Sequence, residues 1–281
     1  MVRIAIIMTC HNRRALTETC LRLLVDQPLF EPANLFLVDD GSTDGTADAV
    51  RAICPGANVI QGSGDLFWNG GMRLAWDKAR EAGGFDYYFW LNDDVALYSG
   101  ALVALVEDVS RAGLAGKPVV MSGSTVTPGS TQVSYGGQSA TSRLHPLRLR
   151  LVQPQAKPVP VDTFSGNVVL ISAEAERSLG NLSPSFKHIY GDLDYGLRAK
   201  RAGVPGLLSS AISGECATNE SKNSSIDISM SRLSRLRTRL REEKKVHARD
   251  WRRFARLHSG LGPLSFLYSA SPYLRLLINR P

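Results

Sequence analysis

Apolar runs alternate with helical patterns over the first half of the chain. Runs with strand composition cover residues 3–9, 34–39, 58–61, 85–91 and 118–122. Buried parallel strands have this composition, and helices between such strands cover both faces of their sheet. The pattern therefore predicts an α/β fold, with a mainly parallel open sheet flanked by helices.

The segments between these runs carry helical spacing. One apolar stripe lies between the first two runs and consists of Leu16, Cys20, Leu23 and Leu24. A second helix is predicted to begin near Ser42–Asp44, whose short side chains can cap free N–H groups, and to end at Ile53. A third helix is predicted after Asn69–Gly71, and its buried stripe consists of Met72, Ala75, Trp76 and Ala79.

The rhythm changes after Val126. Glycines and the prolines within residues 145–160 predict hairpins and a long loop, and loops of this length often have a binding role. Residues 159–171 again have strand composition, which Ser165-Gly166-Asn167 interrupts. A helix over residues 194–202 and a strand over 206–210 are predicted to complete the body.

Positive charge is concentrated near the end of the chain. Residues 232–256 hold eleven Lys or Arg against three acidic residues, whereas the remaining 22 basic and 23 acidic residues nearly cancel. A polar stretch from residue 217 precedes this basic segment. We therefore expect a body over residues 1–216 and, over 217–281, a linker with a basic, amphipathic helical extension. Such an extension favours an anionic partner, either a membrane surface or a nucleic acid.

Composition narrows the setting. The chain has 281 residues, 43% of them hydrophobic, which is enough to bury a sizeable core. Its four cysteines show no C-x-x-C spacing, so neither a disulfide framework nor a zinc knuckle is indicated. We expect a cytoplasmic protein, because the first residues lack the pattern of a signal peptide and no apolar run reaches bilayer-spanning length.

Polar clusters follow three of the predicted strands. They are Thr9-Cys10-His11-Asn12-Arg13, Asp39-Asp40-Gly41-Ser42-Thr43-Asp44 and Asn92-Asp93-Asp94. Ligands of open α/β sheets collect outside the carboxyl ends of strands. Hard carboxylate oxygens there suit Mg2+ or Mn2+, and the acidic turn after the second strand can accept the imide N–H of uracil or thymine, or guanine donors. The alternative is that these residues form solvated turns and helix caps.

The combination resembles a known family. An acidic Val38-Asp39-Asp40-Gly41-Ser42 turn on the second strand, followed further along by Asp93-Asp94, resembles the GT-A fold of glycosyltransferase family 2 over about residues 3–212. The resemblance implies that Thr9, Asn12 and Asp40 line the base and ribose pocket. It also implies that Asp93 contacts the ribose and that Asp94 holds a divalent cation, Mn2+ or Mg2+. The family's acidic triplet is Asn92-Asp93-Asp94 here, with one carboxylate fewer.

The segment 62–72 is the next candidate. A dinucleotide-binding G-x-G-x-x-G pattern fails because position 67 is Phe67. The resemblance implies instead that this loop and the following helix face the donor, with Gly70 and Gly71 admitting the diphosphate. Trp68 is either a platform for a sugar or base or a core aromatic. The donor-binding residues predicted in this way are Thr9, Asn12, Arg13, Asp39, Asp40, Ser42, Trp68, Asn69, Gly71 and Asp93.

The segment from His188 to Arg198 resembles the family's (E/D)-D-x-D-x-x-x-R motif. By that resemblance, Asp192 is the general base that takes the acceptor hydroxyl proton during a single inverting displacement. Asp194 and Arg198 are predicted to form an ion pair within one helix. The alternative for Asp192 is a helix N-cap.

Many members of this family place a metal-binding histidine after the following strand, and none stands there in this chain. Glu215 and Cys216 are the candidates for its position, or the cation lacks that protein ligand. His258 is a remote candidate, and a core histidine with a protein partner is the alternative. The sequence motifs around Trp68, Gly191 and Gly214 are similar to those of a bacterial subgroup that acts on cell-surface polysaccharides.

These features predict a metal-dependent inverting hexosyl- or rhamnosyltransferase that uses a UDP- or dTDP-sugar and a glycan or lipid-linked acceptor. We expect the basic extension to dock on an anionic inner membrane surface or to form a homodimer. One alternative is a nucleotide-sugar-binding relative without transfer activity. A nucleic-acid partner is not expected, because only Trp251 and Phe254 could stack on bases within residues 232–256 and no nucleic-acid-binding motif is present.

Overall fold

The computed structural model describes residues 2–142, 145–187, 189–218 and 248–265, together with 231, 233–235, 237–238 and 268. Thirteen strands lie in these parts: β1 Ile4–Cys10, β2 Leu35–Asp39, β3 Asn58–Gln61, β4 Tyr87–Leu91, β5 Ala96–Leu97, β6 Val120–Val126, β7 Val133–Tyr135, β8 Gly137–Ser142, β9 His145–Leu151, β10 Val159–Pro160, β11 Thr163–Phe164, β12 Val168–Ser172 and β13 Gly206–Glu215. Seven α-helices accompany them there: α1 Arg14–Val25, α2 Thr46–Ile53, α3 Phe67–Ala82, α4 Ala101–Arg111, α5 Ala173–Leu179, α6 Gly191–Arg201 and α7 Ala248–His258.

One large sheet forms the centre of the molecule, in the strand order β10-β13-β6-β12-β4-β1-β2-β3. Strands β4, β1, β2 and β3 run parallel, and β13 runs parallel to β6. Strand β12 runs antiparallel to both of its neighbours, β4 and β6. This mixed α/β architecture confirms the predicted fold class.

Strand β1 shows why the sheet is covered on both faces, since all seven of its residues are buried. Ile4, Ile6 and Met8 pack in a core with the buried leucines of α1 and α4. Ala5 and Ile7 point the other way, into a core with α3 and α6. Alternate residues of a strand face opposite sides of the sheet, so one apolar run fills both cores.

The segment 145–160 contains more regular structure than the predicted hairpins and long loop. Residues His145–Leu151 form β9, which pairs with β8 in a second, three-stranded sheet completed by β11. The run His-Pro-Leu-Arg-Leu-Arg-Leu alternates apolar and charged residues, which is the strand period. Because β9 lies at the edge of its sheet, Pro146 is tolerated there.

Other element limits also differ from the predicted ones. Helix α3 begins at Phe67, so Asn69–Gly71 lie inside it, and α6 begins at Gly191 rather than at residue 194. Strand β13 runs on to Glu215, five residues beyond the predicted end. Strand β5 and helices α4 and α5 were not predicted individually. The extended β13 carries Glu215 to the edge of the sheet where the candidate site lies.

Candidate functional site

The carboxyl ends of three parallel strands meet at one edge of the large sheet. Strand β1 lies between β4 and β2, with Cys10 opposite Asp39 and Ile7 opposite Trp90. The turns that follow these strands therefore share this edge. They are the three polar clusters that the sequence singled out.

Asp40 holds the turn that leads into α3. Its carboxylate is 4% exposed and accepts hydrogen bonds from the backbone N–H groups of Gly64 at 2.7 Å, Leu66 at 2.9 Å and Phe67 at 3.0 Å. A Cβ on Gly62 would lie 2.8 Å from the Cα of Asp40, so only glycine fits there. A carboxylate has about four acceptor directions, which leaves Asp40 roughly one for a ligand.

The turns after β1 and β2 are bound to each other. Asp39 Oδ1 accepts the N–H of Ser42 at 3.0 Å, and Ser42 Oγ accepts the N–H of Asn12 at 2.9 Å. Asn12 Oδ1 in turn accepts the N–H of Thr43 at 2.8 Å. Asn12 adopts a left-handed backbone conformation with φ of 50°, which asparagine tolerates better than most residues. Asp39, Asn12 and Ser42 therefore fix the shape of this rim.

Two cavities open beside these turns. The first, which we call the strand-end cavity, has a volume of about 260 Å³ and is lined by Thr9, Cys10, His11, Arg13, Asp40, Gly64, Phe67, Trp68 and Asp93. The second, which we call the Glu215 cavity, has a volume of about 390 Å³, and its lining includes Arg13, Asp94, Glu215 and Cys216. Arg13 lines both cavities and lies between them.

Arg13 binds both carboxylates of the acidic turn. Its Nη1 lies 3.0 Å from Asp93 Oδ1, and its Nη2 lies 2.6 Å from Asp94 Oδ2. Asp93 is 4% exposed, and burial raises its pKa to about 6, although the guanidinium of Arg13 acts in the opposite direction. The sequence analysis included Arg13 among the donor-binding residues but did not foresee this bridge.

The surroundings of Asp94 decide how a divalent cation would be held. Asp94 Oδ2 is bound by Arg13, and Asp94 Oδ1 lies 3.6 Å from the Sγ of Cys216. Burial, and then the charge of Asp94, raise the pKa of the Cys216 thiol to about 12. Among the described residues, no three His, Cys, Asp or Glu side chains are grouped so that they could hold a metal ion.

One available carboxylate still suits Mg2+ or Mn2+, because such ions are commonly held by one or two carboxylates together with substrate phosphates and water. A cation at this edge would therefore use Asp94 and the diphosphate of a donor, once Arg13 moves aside. Glu215 lines the same cavity, and its Oε1 accepts the hydroxyl of Tyr98 at 3.3 Å. Both substitutes considered for the missing histidine, Glu215 and Cys216, therefore line the cavity that contains Asp94.

Asp192 lies in the first turn of α6. Its Oδ2 accepts the N–H of Gly166 at 2.9 Å, and its Oδ1 accepts the N–H of Leu193 at 2.8 Å. Burial raises the pKa of Asp192, while these backbone donors act in the opposite direction. Tyr190, and not Asp192, occupies the N-cap position, so the N-cap alternative is wrong.

Contacts through the turn before β12 join Asp192 to the acidic turn. A Cβ on Gly166 would lie 2.5 Å from Cζ2 of Trp68 and 3.2 Å from Cβ of Asp192, so these two side chains flank the glycine closely. The indole N–H of Trp68 donates to Asn92 Oδ1 at 2.7 Å. The N–H of Asn92 donates to the carbonyl of Asn167 at 3.0 Å. Asp192 therefore lies on the same side of the sheet as the strand-end cavity.

Trp68 fits both predicted interpretations, a platform at the cavity and a core aromatic. It lines the strand-end cavity and also packs edge-on against the buried Trp90, with ring centroids 6.1 Å apart. Its ring thus forms a wall of the cavity that the aromatic core supports from behind.

Five of the predicted donor-binding residues line neither of these cavities: Asn12, Asp39, Ser42, Asn69 and Gly71. Asn69 is fully buried, and its amide donates to the carbonyls of Ser183 at 3.0 Å and Phe186 at 2.7 Å. A Cβ on Gly71 would lie 2.1 Å from Oγ1 of Thr9, so this glycine lets α3 approach β1. Asn69 and Gly71 can therefore act on a donor only through the elements that they position.

The ion pair between Asp194 and Arg198 is confirmed, with Arg198 Nε 2.9 Å from Asp194 Oδ2. His258 lines neither cavity. Its Nε2 lies 2.8 Å from Asp194 Oδ1, and both side chains are 2% exposed. His258 is thus a core histidine with a protein partner, which is the alternative that the sequence analysis named. The sequence signal for this docking was the apolar stripe Trp251, Phe254, Ala255 and His258 at helical spacing.

The fold and the site together define a glycosyltransferase of the GT-A type. The model of glycosyl transferase family 2 matches residues 5–168, which is more than half of the chain, and the chain belongs to this family. No curated protein matches it in sequence. Within the part of the chain that the structure describes, no helix combines the length and apolar character needed to cross a bilayer.

A solved structure of GalNAc-T7 with UDP, GalNAc and Mn2+ has a similar fold, with a TM-score of 0.57 and 11% sequence identity. The match covers 75% of this chain and 43% of that chain. The present chain therefore spans less than half the length of this relative, and the likeness concerns the fold alone.

Proposed function

We propose that the protein transfers a sugar, with inversion, from a nucleoside diphosphate donor to a hydroxyl of a glycan or lipid-linked acceptor. The observation that carries this proposal is the contact of Gly166 with both Asp192 and Trp68. It places a carboxylate with a raised pKa close to Trp68, which lines a cavity at the carboxyl ends of three parallel strands. Active sites often combine such a cavity with a perturbed carboxylate.

The donor side of the reaction uses the strand-end cavity. Thr9, Asp40 and Asp93 line it, and the remaining acceptor direction of Asp40 suits the imide N–H of uracil or thymine. A UDP- or dTDP-sugar is therefore the proposed donor, and the hexosyl and rhamnosyl types are the candidates. GalNAc-T7 was solved with UDP, which is one of these two nucleotides.

The acceptor side uses Asp192. Its carboxylate takes the proton of the acceptor hydroxyl as that oxygen forms a bond to the anomeric carbon. The bond from the anomeric carbon to the donor phosphate oxygen breaks at the same time, and its electron pair leaves with the nucleoside diphosphate. Because attack and departure occur on opposite faces, a single displacement inverts the anomeric configuration.

Arg13 lies where the leaving diphosphate would need positive charge. Its guanidinium, now bound to Asp93 and Asp94, can donate to phosphate oxygens with the same two-pronged geometry. A Mg2+ or Mn2+ ion bound through Asp94 would add Lewis-acid stabilisation of the phosphates. Asp93 and Asp94 would keep Arg13 placed beside the empty cavity until the donor arrives.

The first experiment compares Asp192→Asn with the wild type on a panel of UDP- and dTDP-sugars, with nucleoside diphosphate release as the readout. We expect the variant to lose about 100-fold or more in kcat while donor binding stays within about two-fold, because general base catalysis contributes roughly this much. Asp48→Asn is the matched control, since Asp48 lies on α2 with a 90% exposed side chain. Equal transfer by Asp192→Asn and the wild type would remove Asp192 from the base role.

We further propose that the enzyme acts in bacterial cell-surface polysaccharide synthesis, peripherally at an anionic membrane. Arg252, Arg253 and Arg256 on α7 are exposed, and Leu261 and Leu264 beyond the helix are 40% and 54% exposed. Exposed arginines beside exposed leucines fit an interfacial helix. Sedimentation with anionic vesicles, absent with zwitterionic vesicles and weakened by salt, is the expected result. Concentration-dependent dimerisation without vesicle binding would instead favour the homodimer.

A further inference from the structure

Helix α7 packs directly on the helix that carries Asp192. Phe254 of α7 stacks on Tyr190, with ring centroids 4.9 Å apart and planes at 20°, just before α6 begins. About three helical turns further along α6, Arg201 Nη1 donates to the carbonyl of Leu257 at 3.0 Å. The two helices are therefore joined near both ends of α6.

The middle of this contact is a buried polar triad of Asp194, Arg198 and His258. Each oxygen of Asp194 has its own partner, Arg198 Nε at 2.9 Å on Oδ2 and His258 Nε2 at 2.8 Å on Oδ1. An ionised carboxylate can only accept, so the imidazole donates through Nε2. Removing the imidazole would leave one oxygen of a buried carboxylate without a donor, which is costly in an apolar core.

Arg198 carries this triad on to the other side of α6. Its Nη1 donates to the carbonyl of Leu179 at 2.8 Å, and its Nη2 donates to the carbonyl of Asn181 at 3.0 Å. Helix α6 is thus fixed between α7 on one side and the end of α5 on the other. Asp194 is the residue through which both connections pass.

The same helix turn places the proposed base. Asp192 lies two residues before Asp194, and its carboxylate accepts the N–H of Gly166, in the turn before β12. Tyr190, directly before α6, adopts φ of 70°, a conformation that a bulky residue keeps only when its surroundings hold it. The stack on Phe254 is such a restraint.

We propose that α7 belongs to the catalytic centre and that His258 is a positioning residue, which fixes the first turn of α6 so that Asp192 faces the acceptor. This inference rests on the proposed function for the role of Asp192, but the restraint on α6 itself can be measured without any substrate. Displacing a catalytic group by about 1 Å can cost on the order of 100-fold in rate. No residue of α7 lines the strand-end cavity. Any effect of α7 on the reaction must therefore be indirect, and the proposed route is through α6.

The test uses the full chain with His258→Leu and His258→Gln. The Gln amide can place a donor where Nε2 lies, whereas Leu fills the space without one. We expect His258→Leu to lower kcat by about 10- to 100-fold with the donor KM within about two-fold, and His258→Gln to recover most of the loss. Arg249→Gln, an exposed change on the same helix, is the control and should match the wild type.

Hydrogen–deuterium exchange without donor supplies the second readout. At a temperature well below Tm, His258→Leu should speed exchange in residues 191–195, and His258→Gln should not. Unchanged exchange in His258→Leu overturns the proposal whatever the activity. Equal losses in the Leu and Gln variants, or a change in donor KM alone, overturn it as well. If His258→Leu does not fold, Phe254→Leu tests the same restraint through Tyr190, with the same exchange readout.

An inactive wild type, or an Asp192→Asn variant as active as the wild type, contradicts the proposed function and leaves the exchange result standing. The two failures are therefore distinguishable.

Discussion

The Nη2 of Arg13 lies 2.6 Å from Oδ2 of Asp94, while its Nη1 holds Asp93 at 3.0 Å. The guanidinium thus takes the carboxylate oxygen that a divalent cation would need. Arginine and metal ion are therefore expected to compete for Asp94 until a donor phosphate draws Arg13 away.

Arg13→Ala should bind Mn2+ more tightly than the wild type when no donor is present. The expected gain is about five-fold, because a partly exposed ion pair contributes up to about 1 kcal/mol. Titration followed by the electron paramagnetic resonance of free Mn2+ measures it. Arg14→Ala is the control, since Arg14 pairs with Glu18 instead. Identical Mn2+ affinity in the two variants and the wild type would contradict this competition.

The stability of Asp192→Asn relative to the wild type should rise as pH rises towards neutrality. Burial raises the pKa of Asp192, so the folded protein favours the protonated carboxyl. The resulting stabilisation is present below the unfolded pKa of about 3.9 and is lost as pH rises through the folded value. Tm measured for both proteins from pH 4.5 to 7.5 should therefore shift in favour of the variant. A steady relative loss by the variant over that range would refute the assignment.

As the pH is lowered, the kcat of the wild type should begin to fall at a pH above the ordinary pKa of aspartate. A base must be ionised to accept a proton, and the raised pKa of Asp192 moves that limb upward. A pH–rate profile under donor saturation measures it. A flat profile down to the ordinary aspartate range would count against Asp192 as the base.

Gly166→Ala should damage the site by pushing Trp68 and Asp192 apart. The new Cβ would lie 2.5 Å from Cζ2 of Trp68, which is too close, so one of the two side chains must move. We expect a loss of about 10- to 100-fold in kcat and of about 1–3 kcal/mol in stability. In a Trp68→Phe background the ring no longer reaches the new methyl, so the same change should cost less. A strictly additive double variant would show that Trp68 is not the obstacle.

Asp108→Ala should destabilise the fold without acting at the site. Asp108 is fully buried and accepts hydrogen bonds from the N–H of Ser210 at 2.7 Å and the hydroxyl of Ser209 at 2.8 Å, which tie α4 to β13. We expect a loss of about 3 kcal/mol, since buried donors lose a charged partner. Urea unfolding measures it, and Glu107→Ala, an exposed neighbour, is the control. A loss below about 0.5 kcal/mol would mean that these bonds contribute little.

The sequence located the strand-end site because the pattern is local. Continuous apolar runs form β1, β2 and β4, and the polar clusters follow those strands directly, so their meeting at one edge required only the topology of a parallel sheet. The same local reasoning failed for β9, where two regularities conflicted. Pro146 and the other prolines favoured a loop, but alternating leucines and arginines decided the structure.

Local sequence patterns do not predict contacts between distant segments. His258 meets Asp194 across 64 residues, and nothing in the spacing of either residue names the other. The predicted strand over residues 206–210 stopped five residues short of the end of β13, because the continuation to Glu215 depends on pairing with the distant strands β5 and β6. Arg13 was predicted to lie at the correct edge of the sheet. Its bridge to Asp93 and Asp94 depends on side-chain positions that only the folded structure defines.

Strand β12 runs against its neighbours, and Val168 at its beginning pairs with Leu91 at the end of β4. In an all-parallel sheet, every strand would start at the far edge, and this rim would collect only chain ends. One reversed strand brings an incoming backbone to the rim, so Gly166 can offer its N–H to Asp192 a few residues from where β4 delivers Asp93 and Asp94. A single change of direction thereby brings the segments proposed to serve donor and acceptor to the same rim of one sheet.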